Sequence, residues 1–128
     1  MRMVRRQELM TLPDGTLYAE LNEPWIFGQL CIKGKTISDD DGDRDFWFRS
    51  LCWPQGSNSM EAVTRLEEMA ADSSVSYPVE TAEQRDGMYN DAQVYAVYEA
   101  SDARVLMECV DLMDLDIHRQ YEARRREQ

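Results

Sequence analysis

Carboxylates are the groups this sequence offers most freely for chemistry. It holds 25 Asp and Glu against 14 Lys and Arg, for a net charge of −11, with one histidine and three cysteines. Paired carboxyls do acid–base work only where one sits in an apolar pocket that lifts its pKa. Carboxyls this abundant single out no such pair. The sequence also lacks GxSxG, HExxH and a Walker glycine loop. An enzyme is not expected.

The densest acidic run, Asp39-Asp40-Asp41-Gly42-Asp43-Arg44-Asp45, has the composition of a calcium loop but the wrong spacing. An EF-hand needs glycine at the sixth loop position and glutamate at the twelfth. Counted from Asp39, Gly42 is fourth and Ser50 twelfth, so the run reads as a solvated turn between strands. Cys31, Cys52 and Cys109 are odd in number and widely spaced, and only His118 could join them around zinc. They read as reduced thiols packed like small apolar side chains. No metal or cofactor is expected.

Aromatic faces beside guanidinium forks are the ingredients of a nucleotide pocket. Lys33, Lys35, Arg44, Arg49 and Arg85 sit near Trp25, Phe27, Trp47, Tyr77 and Tyr89. Within that set, Arg49, Arg85, Trp47 and Tyr89 would grip a base and its phosphate. Core aromatics beside routine surface cations are the plainer reading. Met60, Met69, Met88, Met107 and Met113 likewise read as core fillers.

The acid is unevenly distributed. Residues 7–118 hold 23 Asp and Glu against seven Lys and Arg, a body of −16. Basic ends return the balance: Arg2, Arg5 and Arg6 at the start, Arg119, Arg124, Arg125 and Arg126 at the finish. Such a body repels phosphate backbones, which argues against direct DNA binding, and attracts basic surfaces. Two rows, Glu61, Glu67, Glu68 and Asp72, then Glu108, Asp111 and Asp114, could imitate phosphate spacing and steer the protein to a basic nucleic-acid channel. A plain solubility surface accounts for the same residues.

The elements that must position these groups change character along the chain. Arg5–Met10 reads as a short helix that stops before Pro13, and Pro13-Asp14-Gly15 as a turn. Thr16–Leu21, Trp25–Phe27, Leu30–Ile37 and Asp45–Trp53 read as strands of an antiparallel meander, with Gly28 a turn or bulge. Asn58, with Glu61 three residues on, caps a helix whose apolar face is Val63, Leu66 and Ala70 and which ends at Asp72-Ser73-Ser74. Val75–Val79 is a further strand candidate, and Val94–Tyr98, apolar on both faces, an interior strand. Ser101 opens the last helix, with an apolar stripe of Val105, Cys109, Leu112 and Leu115 or Ile117. Beyond Tyr121 fraying is expected.

The fold class is therefore α+β: an antiparallel sheet of four to five strands on two helices, one domain over 1–121 and a basic tail over 122–128. No stretch has the length of a bilayer span, and no apolar region follows the basic start as in a signal peptide. A cytoplasmic protein is expected.

Four segments carry a resemblance. Val4–Ala19, Leu30-Cys31-Ile32-Lys33-Gly34, Ser50-Leu51-Cys52-Trp53 and Arg85-Asp86-Gly87-Met88-Tyr89-Asn90-Asp91 resemble a group of small acidic bacteriophage and prophage proteins. That group is similar in build to phage counter-defence proteins, including anti-CRISPR inhibitors and sponges for nucleotide signals of Thoeris or cyclic-oligonucleotide immunity. The resemblance implies a binding role in the host cytoplasm and assigns no site residue. The leading expectation is a non-enzymatic inhibitor whose acidic body docks on a basic, nucleic-acid-binding surface of a bacterial defence complex. The alternative is an oligomeric sponge that sequesters cyclic ADP-ribose or a cyclic oligonucleotide.

Overall fold

Val94–Tyr98 becomes an interior strand, as a run apolar on both faces must if it is to leave water. The computed structural model describes residues 1–127 and divides into two compact units, Met1–Tyr98 and Glu99–Gln128. The first holds strands β1 (Arg2–Arg5), β2 (Leu17–Asn22), β3 (Ile26–Asp39), β4 (Gly42–Ser50), β5 (Trp53–Pro54), β6 (Val79–Glu80), β7 (Glu83–Arg85) and β8 (Val94–Tyr98). Its helices are α1 (Arg6–Thr11) and α2 (Ser59–Ala71), and the second unit holds α3 (Ala100–Asp111) and α4 (Leu115–Arg126).

The class is α+β. Its main sheet has six strands in the order β1-β8-β2-β3-β4-β7, with β5 and β6 as a separate pair, and there are four helices. Both counts exceed those read from the sequence. One extra strand is β1, whose arginines hide it: it lies at the sheet edge, paired from Arg2↔Val97 to Arg5↔Val94, and buries only Val4. Another difference is that Ile26–Asp39 is one continuous strand, with Gly28 inside it and the pairing with β2 slipping between Ala19 and Leu21. Trp25 lies outside it, at φ 77° after the cis Glu23–Pro24 bond. The Asp39–Asp43 turn closes the β3–β4 hairpin as expected. Gly42 adopts φ 114°, where side chains are strained, and Arg44 pairs with Asp39 and Asp41.

The helix that covers the sheet is the six-residue α1, which contacts β1, β4 and β8. Its Leu9 and Met10 join Tyr18, Phe46, Tyr95 and Val97 in the buried cluster. Three of those rings meet edge to face, with centroids 5.6 Å (Tyr18–Tyr95), 6.1 Å (Tyr18–Phe46) and 6.4 Å (Phe46–Tyr95) apart. The helix α2 is capped as its sequence indicates, Asn58 Oδ1 accepting from the Glu61 amide. Its expected apolar face is not its buried one. Val63, Leu66 and Ala70 are exposed, and only Ala62 is buried, beside Gly56, where a Cβ would lie 3.1 Å from the Ala62 nitrogen. Of the methionines read as fillers, Met60, Met88, Met107 and Met113 are exposed and Met69 half-buried, whereas Met10 is in the core.

In the second unit the expected single helix is broken. Its first half is capped by Glu99 rather than Ser101, through a reciprocal box with Asp102. The break falls at Leu112–Asp114, and Asp114 Oδ1 accepts from the Ile117 amide to start α4. No residue of either helix is buried, Val105 and Cys109 included, and Leu112 in the break is exposed as well. Past Tyr121, α4 continues to Arg126, so Arg124–Arg126 form its last turn and face the negative end of the helix dipole. No helix among the described residues is long and apolar enough to cross a membrane.

Candidate functional site

Asp45 of β4 is fully buried, and a charge in that position must be surrounded by donors. Its carboxylate accepts from the amides of Phe46 and Gly87 and from the guanidiniums of Arg6 and Arg85. Arg6, 2% exposed, also reaches Asp86 and Asp91 and donates to the Arg44 carbonyl at 2.7 Å. The hub thus ties the start of α1, the middle of β4 and the loop after β7. Burial alone would raise the Asp45 pKa; the Gly87 and Phe46 amides and Arg85 outweigh it and hold the carboxyl below its ordinary value. Burial likewise opposes the Arg6 charge, but its bonds to Asp91 and Asp86 prevail.

Beside the hub, strand register sets three polar side chains in a row. Tyr18 of β2 faces Cys31 of β3, which faces Ser50 of β4. With Glu20, Gln29, Phe48 and Asp86 they line a cleft of about 180 Å³. Burial pushes the Tyr18 hydroxyl and the Cys31 thiol up, although Ser50 and Tyr18 partly counter the shift on Cys31. Both groups therefore hold their protons more firmly than an exposed tyrosine or cysteine would. Burial, and then the charge of Asp86, pushes Glu20 up too. A larger groove of about 440 Å³, lined by Met3, Leu21, Asn22, Glu23, Pro24, Trp25 and Val94, is mainly apolar and leaves Trp25 exposed.

The nucleotide set converges in space. Trp47 and Arg85 are cross-strand partners, Arg49 stands opposite Glu83 two pairs on, and Arg85 donates to the Tyr89 hydroxyl at 3.2 Å. Its forks, however, are in use: Arg85 holds Asp45 through two nitrogens, and Arg49 donates to the Thr81 carbonyl. The Arg6 guanidinium stacks 5.5 Å from the Tyr89 ring centre. Lys33, grouped with these cations in the sequence, is 1% exposed and bonds the Gly34 carbonyl.

The acidic rows divide by what their members hold. Glu61 accepts from Ser57 and pairs with Arg65, Glu68 binds the Tyr77 hydroxyl, Asp72 accepts from Ser74, and Asp114 caps α4. Glu67, Glu108 and Asp111 are exposed and make no hydrogen bond or ion pair among the described residues. The α2 residues belong to the first unit, and Glu108, Asp111 and Asp114 to the second. Among the described residues no group of three or more His, Cys, Asp or Glu could hold a metal ion.

Sequence reasoning missed Arg6, Asp86, Tyr18, Glu20 and Ser50. Arg6 looked like part of a basic end. No local pattern marks a contact spanning some eighty residues, such as Arg6–Asp86. No family model, curated protein or solved structure matches the chain.

Proposed function

We propose that this chain is a non-enzymatic, phage-encoded binding protein that disarms a bacterial immune complex by occupying one of its basic, nucleic-acid-binding surfaces. One observation carries the reading: six of the nine cations of the first unit are spent on its own carboxylates, while other carboxylates remain free outside. In the first unit Arg2, Arg6, Lys33, Arg44, Arg65 and Arg85 all face carboxylates of the same unit. The surplus acid, Glu67 among it, is left to act on other molecules, with Glu108 and Asp111 adding to it in the second unit. Such a surface accelerates encounter with a basic partner and loses that advantage in salt. The phage and immune setting comes from the resemblance of Val4–Ala19 and the three shorter segments.

The test is capture of partners from defence-carrying bacteria at low and high salt, using the native chain and the variant Glu67→Lys/Glu108→Lys/Asp111→Lys. These three positions have no internal role, so the variant keeps the fold. The native chain should retain a nucleic-acid-binding protein at low salt, and the variant should not. Equal retention by both would refute the reading.

The convergence of Trp47, Arg49, Arg85 and Tyr89 on one sheet edge supports a second reading, a sponge for a cyclic nucleotide signal, with self-association completing the site. A nucleotide would then have to displace Asp45 from Arg85. A melting-temperature rise with cyclic ADP-ribose or a cyclic oligonucleotide supports it, and no shift across a nucleotide panel sinks it.

A further inference from the structure

The cleft on β2, β3 and β4 has a chemistry that surface charge does not explain. Tyr18, Cys31 and Ser50 are only 3%, 8% and 6% exposed, yet all three line it. The Tyr18 hydroxyl has the Cys31 thiol for company, and a thiol is a weak hydrogen-bond partner. Lining an open cleft, that hydroxyl has room to take a stronger partner there. Glu20 makes no hydrogen bond or ion pair among the described residues. Asp86, by contrast, is already held by Arg6. Phe48 forms an apolar flank.

Three ligand classes can be compared. No cation lines the cleft, and the adjoining hub sets Asp45, Asp86 and Asp91 against only Arg6 and Arg85, so an anion is repelled. An apolar ligand would leave Glu20 and the Tyr18 hydroxyl unpaired in a dry site, which is costly. A cation on an alkyl stem meets every requirement. Among the lining residues Glu20 would take its charge, the hydroxyl oxygens of Tyr18 and Ser50 its N–H groups, and Phe48 its stem. The volume of about 180 Å³ suits one such group.

We propose that this cleft binds an alkylguanidinium or alkylammonium group, and that in the complex it receives an arginine or lysine side chain of the basic partner. The second clause rests on the function proposed above; the first does not.

The full chain is titrated with n-butylguanidinium and n-butylammonium, and with butyrate and 1-butanol as controls, while backbone amide NMR shifts are followed. Both cations should saturate shifts at Tyr18, Glu20, Cys31 and Ser50, and neither control should. Glu20→Gln should weaken cation binding about tenfold or more, and Tyr18→Phe should weaken it less. Equal binding of cations and butanol, or unchanged affinity in Glu20→Gln, overturns the site. Saturating n-butylguanidinium should also slow partner capture by the native chain at fixed ionic strength. If the probe binds but capture is unaffected, the partner clause is wrong and the cleft serves free small cations. If the probe binds and no basic partner exists, only the proposed function falls.

Discussion

Arg6 and Asp45 lie 3.3 Å apart with side chains 3% and 0% exposed, joining the first turn of α1 to the middle of β4. A buried ion pair adds little to stability over a well-packed apolar pair, but breaking one is expensive because a charge is left behind. Asp45→Ala leaves Arg6 its bonds to Asp86 and Asp91 but takes a charged acceptor from Arg6, Arg85 and the Phe46 and Gly87 amides, and should lower the unfolding free energy by about 1–3 kcal/mol in urea titrations. Arg85→Gln removes a partner whose side chain is 48% exposed, and should cost on the order of 1 kcal/mol or less.

The same carboxyl sets an acid limit. Burial works against its charge, but the Gly87 and Phe46 amides and Arg85 keep its folded pKa below the unfolded value. The stability it contributes is therefore complete above the unfolded pKa of about 3.9 and disappears as pH falls through the folded one. The difference in unfolding free energy between the native chain and Asp45→Asn should be large at pH 7 and shrink steadily below about pH 4.

Glu20 has the opposite sign. Burial and Asp86 raise its folded pKa, so the folded state favours the protonated form, and ionisation at neutral pH costs stability. Glu20→Gln should melt higher than the native chain at pH 7. The gain should vanish below the unfolded glutamate pKa of about 4.3, where both side chains are neutral. Melting curves at the two pH values check this, and a gain that persists in acid would argue against it.

What the sequence made legible was local. Val94–Tyr98 announces an interior strand because every residue is apolar or aromatic, and Asn58 announces a helix start because its side chain bonds an amide three residues on. The Asp39–Asp43 turn is legible for the same reason, its contacts lying within a few residues. Three things were not. Strand β1 carries two arginines in four residues and has one buried side chain to betray it. The break at Leu112–Asp114 was masked because Leu112, Leu115 and Ile117 prolong an apolar period that buries nothing. The hub and cleft depend on register: Tyr18, Cys31 and Ser50 line up only once three strands have paired.

The thiols should separate by reactivity. Cys52 and Cys109 are exposed, whereas Cys31 is buried and its pKa is raised by that burial. A disulfide reagent at pH 8 should modify two thiols per chain promptly and the third only on unfolding. Fast modification of Cys31, traced by mass spectrometry, would contradict the position of β3.

The central claim is that exposed, unpaired carboxylates carry the protein to a basic partner. The most direct measurement is the association rate with the captured partner across ionic strength, for the native chain and for Glu67→Lys/Glu108→Lys/Asp111→Lys. The native rate should fall steeply with salt, and the variant's should be about tenfold or more lower at low salt and nearly flat. Superimposed rates with the same salt slope would contradict the account.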